Sequence, residues 1–167
     1  MRLQLALNVP SLDEAVDFYS KLFDTPAYKT KPGYANFEVE NPPLKLVLFE
    51  NPTAEPGSIN HLGVETETAT EVEDAERRLT ASGLTTTGID DTICCYAEKV
   101  ETWVHGPDGN RWEYYVKTAD HESGFDNVVV ASRDADGGEA SVDNCCVADP
   151  SLETAGAAAA GTGPSCC

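Results

Sequence analysis

The feature that most constrains this chain is that it states one plan twice. "LQLALNV", residues 3–9, alternates Leu3, Leu5, Leu7 and Val9 against Gln4, Ala6 and Asn8, the period of a half-buried strand. "SLDEAVDFYSKLF" follows with apolar residues at 12, 15, 16, 19, 22 and 23, a helical stripe, and with Ser11 and Glu14 spaced as a capping box. "YANFEVE" and "LKLVLFE" then read as two strands around an Asn-Pro-Pro turn. The second copy opens at "INHLGVE", residues 59–65. It continues through "TATEVEDAERRLTASG", with a Thr68/Glu71 capping box and Gly83 as C-terminal cap. It closes with "ETWVH" and "RWEYYV" around the hairpin signal "GPDGN". The expectation is one α+β domain over residues 1–118, built of two like modules at about 2–52 and 57–118.

Beyond residue 118 the character changes. Residues 119–167 are rich in Ala, Gly, Ser and Asp with little periodic hydrophobicity, too little to offset the entropy of ordering, so a flexible tail is expected, with "VVV" at 128–130 free to dock. Twenty-nine Asp and Glu against 11 Lys and Arg give a formal net charge of -18, which repels phosphate backbones and excludes nucleic acid as a partner. No apolar run is long enough to span a bilayer and the N-terminus lacks a secretory pattern, so the expected location is the cytoplasm, with no membrane partner. In that compartment thiols stay reduced and paired cysteines read as ligands.

All 6 cysteines fall in vicinal pairs: Cys94-Cys95, then Cys145-Cys146 and Cys166-Cys167 in the tail. Neighbouring thiols are awkward structural staples. Two adjacent thiolates suit a soft, thiophilic centre such as trivalent arsenic, held as a dithiolate. Side chains alternate faces along a strand, so Cys94 and Cys95 can chelate one atom only if the backbone turns there, and a loop or bulge is expected. The β-forming Thr92 and Ile93 favour the competing reading, a strand with one sulfur buried as a small hydrophobe.

Superimposing the two copies by their first strands brings Gln4-Leu-Ala-Leu onto His61-Leu-Gly-Val. Gln4 and His61 become equivalent, each followed two residues on by a small residue, Ala6 or Gly63, that leaves space above the sheet. Glu113 lies on the strand face opposite Trp112 and Tyr114. Three oxygen or nitrogen donors can therefore meet over one concave sheet.

On these residues, "LALNVPSLDEAVDFYSKLF", "NHLGVE" and "GPDGNRWEYY", the chain resembles the vicinal oxygen chelate superfamily, which includes glyoxalase I, bleomycin-resistance proteins and extradiol dioxygenases. The resemblance implies paired βαβββ modules forming a curved mixed sheet around a metal site, with Gln4, His61 and Glu113 as metal ligands. "KPGYANFEVENPPLKLVLFENP" with "TICCYA" is narrower and resembles the carbon-arsenic lyases and related cadmium-induced proteins. That likeness implies Fe(II), dioxygen, and Cys94 and Cys95 holding a trivalent organoarsenical substrate for carbon-arsenic cleavage to arsenite.

The metal reading suits the chemistry, since one imidazole, one carboxylate and one amide oxygen make a three-point face with open positions, close to the triad of non-heme iron oxygenases. Glyoxalase-type members take a fourth ligand from the last strand of the first module. That strand offers Lys45, Leu46 and Val47 here, which disfavours a glyoxalase-like lyase, though Glu50 keeps it open. A second alternative is a non-catalytic cadmium- or arsenite-binding thiol protein. Tail cysteines Cys145, Cys146, Cys166 and Cys167 are candidates for capturing arsenic. Tyr96, Trp103, His105 and Tyr115 read first as packing residues. Whether ligands converge within one chain or across a homodimer stays open.

Overall fold

Each alternating stretch becomes a strand and each apolar stripe a helix. The computed structural model describes residues 1–122 and, as backbone, residues 128–132. The first module is β1 (Arg2–Val9), α1 (Leu12–Phe23), β2 (Lys29–Lys31), β3 (Tyr34–Val39) and β4 (Leu44–Glu50). The second is β5 (Ile59–Glu65), α2 (Ala69–Ala81), β6 (Asp90–Cys94), β7 (Ala97–His105) and β8 (Arg111–Asp120). A further strand, β9 (Val128–Ser132), pairs with β6, so the "VVV" segment docks on the sheet edge. The strand β8 runs through Asp120, two residues into the stretch expected to be tail. Cys145, Cys146, Cys166 and Cys167 lie outside the described residues.

The strands form one mixed sheet in the order β2-β3-β4-β1-β5-β8-β7-β6-β9. Within each module the first and last strands pair in parallel, β1 with β4 and β5 with β8, as a helical crossover requires. The modules join through antiparallel β1 and β5, where Gln4 faces Gly63 and Ala6 faces His61. This register is a local two-fold: it exchanges Gln4 with His61 and Ala6 with Gly63, the equivalence that the sequence alignment expects.

The helices cover one side. Apolar residues of α1 pack on Leu46, Leu48, Phe37 and Val39, and α2 buries Val72, Ala75 and Leu79, with Val72 against Ile89, Val100 and Val116. Full burial of one such valine contributes about 1.5–3 kcal/mol. Thr68 and Glu71 complete a reciprocal capping box, and Ser11 accepts the Glu14 amide at 3.5 Å. Gly83 follows the end of α2 at φ 82°, a left-handed position that suits glycine.

The depth of burial corrects the reading of β1. Leu3 of its apolar row is 47% exposed, whereas Gln4, Ala6 and Asn8 of the polar row are all buried. The sheet curls over its polar side. Cys94 and Tyr96 pack against Ala6, Tyr34, Val47 and Phe49, although four strands separate β6 from β4 in the sheet order.

Candidate active site

Three inward side chains meet beneath this curl within a single chain. Gln4 Nε2 lies 2.9 Å from His61 Nε2 and donates to Glu113 Oε2 at 3.1 Å, while His61 Nε2 is 3.6 Å from Glu113 Oε2. All three residues are buried. Gly63 makes room for them: a Cβ there would stand 3.3 Å from Gln4 Cβ, Gln4 Nε2 and the Glu113 carbonyl oxygen. Tyr115 donates its hydroxyl to Gln4 Oε1 at 2.5 Å.

The tautomer of His61 follows from its neighbours. Asn60 Oδ1 lies 2.8 Å from Nδ1 and accepts its proton, and Asn60 is held in turn by Asn8, whose Oδ1 takes the Asn60 amide at 3.1 Å. Nε2 then presents its lone pair to the cavity, the arrangement by which an outer partner prepares a metal-binding histidine. Burial first, then the Lys99 and Arg111 cations, push the imidazole down to about 3, so it is neutral at physiological pH.

These donors fit a divalent ion. Ligands at about 2.1 Å in octahedral directions stand about 3.0 Å apart, and the observed edges are 2.9, 3.1 and 3.6 Å. Turning the Gln4 amide by half a turn points Oε1 at the cavity and leaves Nε2 to donate to the Tyr115 oxygen. The charges agree. Lys99 Nζ donates to Glu113 Oε1 at 2.5 Å and lies 3.0 Å from Glu101 Oε2, so one buried ammonium faces two buried carboxylates beside a neutral imidazole. Burial raises the Glu101 pKa above its ordinary value, with Lys99 opposing and Glu113 adding to the rise. Among the described residues no three His, Cys, Asp or Glu are grouped so that they could hold a metal ion, and a metal held by His61 and Glu113 would need a third donor of another kind, such as the Gln4 amide.

The vicinal cysteines line the same cavity, with Cys94 disulfide-bonded in this structure. β6 and β7 form a hairpin in which Cys94 pairs with Ala97, and Cys95 and Tyr96 are the two turn residues at φ 56° and 61°. Two left-handed residues make the tight turn whose twist matches a hairpin, a conformation that costs non-glycine residues about 1–2 kcal/mol each. Anchors offset it: the Tyr96 carbonyl accepts from Lys29 Nζ at 3.2 Å and from the His121 amide at 3.0 Å, and its ring lies 5.5 Å from Tyr34. The turn brings the two sulfurs to 2.8 Å. Both expectations for this stretch therefore hold in part, since Cys94 ends a strand and is buried while Cys95 begins the turn.

Gln4, His61, Val47, Lys99, Cys94 and Cys95 all line one cavity of about 30 Å³. That is room for a water or two. Of the aromatic and polar residues read first as packing, Tyr115 bonds Gln4, Trp103 Nε1 donates to Glu101 Oε1 at 3.1 Å, and His105 is exposed. Lys99 and Glu101 escaped the sequence reading, because a charged residue in an alternating strand reads as solvent-facing. The one available signal is their spacing with Trp103, which puts all three on a single face of β7.

Comparison with known proteins fits this geometry. A family model described as Glyoxalase/Bleomycin resistance protein/Dioxygenase superfamily matches residues 3–114. A protein of Thermomonospora curvata named trivalent organoarsenical cleaving enzyme is 46% identical over 149 residues, 87% of this chain and 99% of that protein. Cadmium-induced protein CadI of Mycobacterium tuberculosis is 51% identical over 122 residues, 73% of this chain and 80% of that protein. Among solved structures, the Mn(II)-bound glyoxalase of Novosphingobium aromaticivorans aligns with a TM-score of 0.53 at 14% identity, covering 74% of this chain and 40% of that one, a likeness of fold alone. No described helix is long and apolar enough to cross a membrane.

Proposed function

The chain belongs to the Glyoxalase/Bleomycin resistance protein/Dioxygenase superfamily, and we propose that it cleaves the carbon-arsenic bond of trivalent organoarsenicals, releasing arsenite, with Fe(II) and dioxygen. The observation that carries this reading is that a turn-mounted cysteine pair lines one cavity with Gln4 and His61, two members of a donor trio that Glu113 completes. The relative named for organoarsenical cleavage, matched over nearly its whole length, supports the substrate class.

Gln4, His61 and Glu113 would hold the metal. Ferrous iron held there would supply the electrons for dioxygen activation, chemistry that side chains alone lack. Reduced, Cys94 and Cys95 bind the arsenical by exchange: two sulfur-arsenic bonds form, two arsenic-hydroxyl bonds break, and two waters leave. With Cys94 reduced, the 2.8 Å sulfur separation would let both reach one arsenic atom, in the cavity that Gln4 and His61 also line. Val47, Phe49 and Tyr34 supply an apolar wall for the organic substituent and keep bulk water out. Asn60 fixes the His61 tautomer through the proton on Nδ1.

The test is arsenic speciation by chromatography with mass detection, after incubating the iron-loaded protein with methylarsenite, with and without dioxygen. Arsenite exceeding one equivalent of protein only when both iron and dioxygen are present is the expected result. Methylarsenite recovered intact and protein-bound overturns the reading in favour of thiol sequestration. Turnover of a thiol hemithioacetal without dioxygen overturns it in favour of a glyoxalase-like reaction.

A further inference from the structure

Lysine is almost never buried unless paired, and here Lys99 is 7% exposed and Glu101 1%. Both face inward from β7, on the same face as Trp103. The contacts close a circuit around the candidate centre. Lys99 Nζ donates to Glu113 Oε1 at 2.5 Å and lies 3.0 Å from Glu101 Oε2. Trp103 Nε1 donates to Glu101 Oε1 at 3.1 Å, and its ring meets His61 edge-on with centroids 5.3 Å apart. The second oxygen of Glu113 faces the other way, toward Gln4 at 3.1 Å and His61 at 3.6 Å.

A carboxylate can ligate a metal through one oxygen or both. Both oxygens occupy two coordination positions; one leaves a position for a small ligand. We propose that Lys99, steadied by Glu101, occupies Oε1 of Glu113 and holds that carboxylate to ligation through Oε2 alone, keeping a coordination position open to the cavity. The inference rests on the metal reading of Gln4, His61 and Glu113. Lys99 is a positioning residue here, acting through Glu113. A merely structural lysine, neutralising buried carboxylates, would affect stability and leave the mode of ligation alone.

The experiment uses Co(II) as a spectroscopic probe on the full chain. Difference infrared spectra on metal addition separate the two modes, because the gap between the two carboxylate stretches is wide for one-oxygen ligation and narrow for two. The wild-type protein is expected to show the wide gap. Lys99→Met is expected to bind Co(II), narrow that gap, weaken the visible cobalt bands as coordination number rises, and lower kcat about ten- to a hundredfold with KM for the arsenical little changed.

A narrow gap in the wild type, or an unchanged cobalt spectrum in a folded Lys99→Met protein, overturns the proposal. If the wild type binds no Co(II), the metal reading itself has failed, a result distinct from binding with both oxygens. Should Lys99→Met not fold, Lys99→Met/Glu101→Met removes the charge pair together and is read by the same signals.

Discussion

The two modules share one backbone plan and opposite chemistry where they meet. In the first, β1 presents Gln4 and its parallel neighbour β4 presents Val47 opposite Ala6. In the second, β5 presents His61 and its parallel neighbour β8 presents Glu113 opposite Gly63. The two-fold register of β1 against β5 carries Ala6 onto Gly63, so it also carries Val47 onto Glu113. The second module supplies an imidazole, a carboxylate and the ion network behind them; the first supplies a neutral amide and an apolar wall of Ala6, Tyr34, Val47 and Phe49. Duplication sets four symmetric positions, and divergence fills only three with donors. A symmetric site would surround an ion, whereas this one leaves a side facing the cysteine turn.

The sharpest way to break that comparison is to remove the equivalent donors one at a time. If the second module dominates metal binding, His61→Ala lowers Co(II) affinity about a hundredfold and Gln4→Ala about tenfold, since a neutral amide is the weaker donor. Calorimetric titration of both variants reads the difference directly. Equal losses would mean that the modules share the metal evenly.

Val47 gives the next largest effect. Val47→Glu places a carboxylate at the symmetric fourth position, so metal binding should tighten while turnover falls at least about tenfold as the open side fills. Without metal, an added buried carboxylate with no partner destabilises the fold by about 3 kcal/mol or more, and metal restores it. Melting temperatures with and without Co(II) measure both parts. A variant whose affinity and metal-dependent stabilisation match the wild type would remove Val47 from the symmetric position.

How much of this was legible from sequence differs between the same two regions. The alternation in "LQLALNV" and "INHLGVE" locates both central strands, and their overlay pairs Gln4 with His61. Periodicity tells which residues share a face but not which face lies deeper, and for this reason the polar row of β1 read as half-exposed. Burial there depends on the β6–β7 hairpin crossing to β3 and β4, a long-range event with no local signal. Lys99 and Glu101 were invisible for the same cause. The short β2, Lys29–Lys31, is polar and three residues long, too brief for a period to register. The turn at Cys95 was readable only from chemistry, because Cys and Tyr are not the residues that left-handed turns favour.

The smallest effect concerns the seam between modules. Glu65 of β5 ion-pairs with Lys45 Nζ at 2.9 Å and with Arg2, both from the first module. Burial alone would raise its pKa, but the Lys45 and Arg2 cations outweigh it and hold the carboxyl below the ordinary value of 4.5. A carboxylate with a depressed pKa in the folded state contributes stability above its unfolded value and loses it as pH falls through the folded one. Glu65→Gln should therefore cost about 2 kcal/mol at neutral pH, and the gap to the wild type should close below pH about 4.5 as the native carboxyl itself takes up a proton. Urea unfolding of both proteins across that range measures the gap. A gap independent of pH would assign Glu65 to packing; one that closes with acid makes the seam an ionic tie, with the second module contributing the carboxylate and the first both cations.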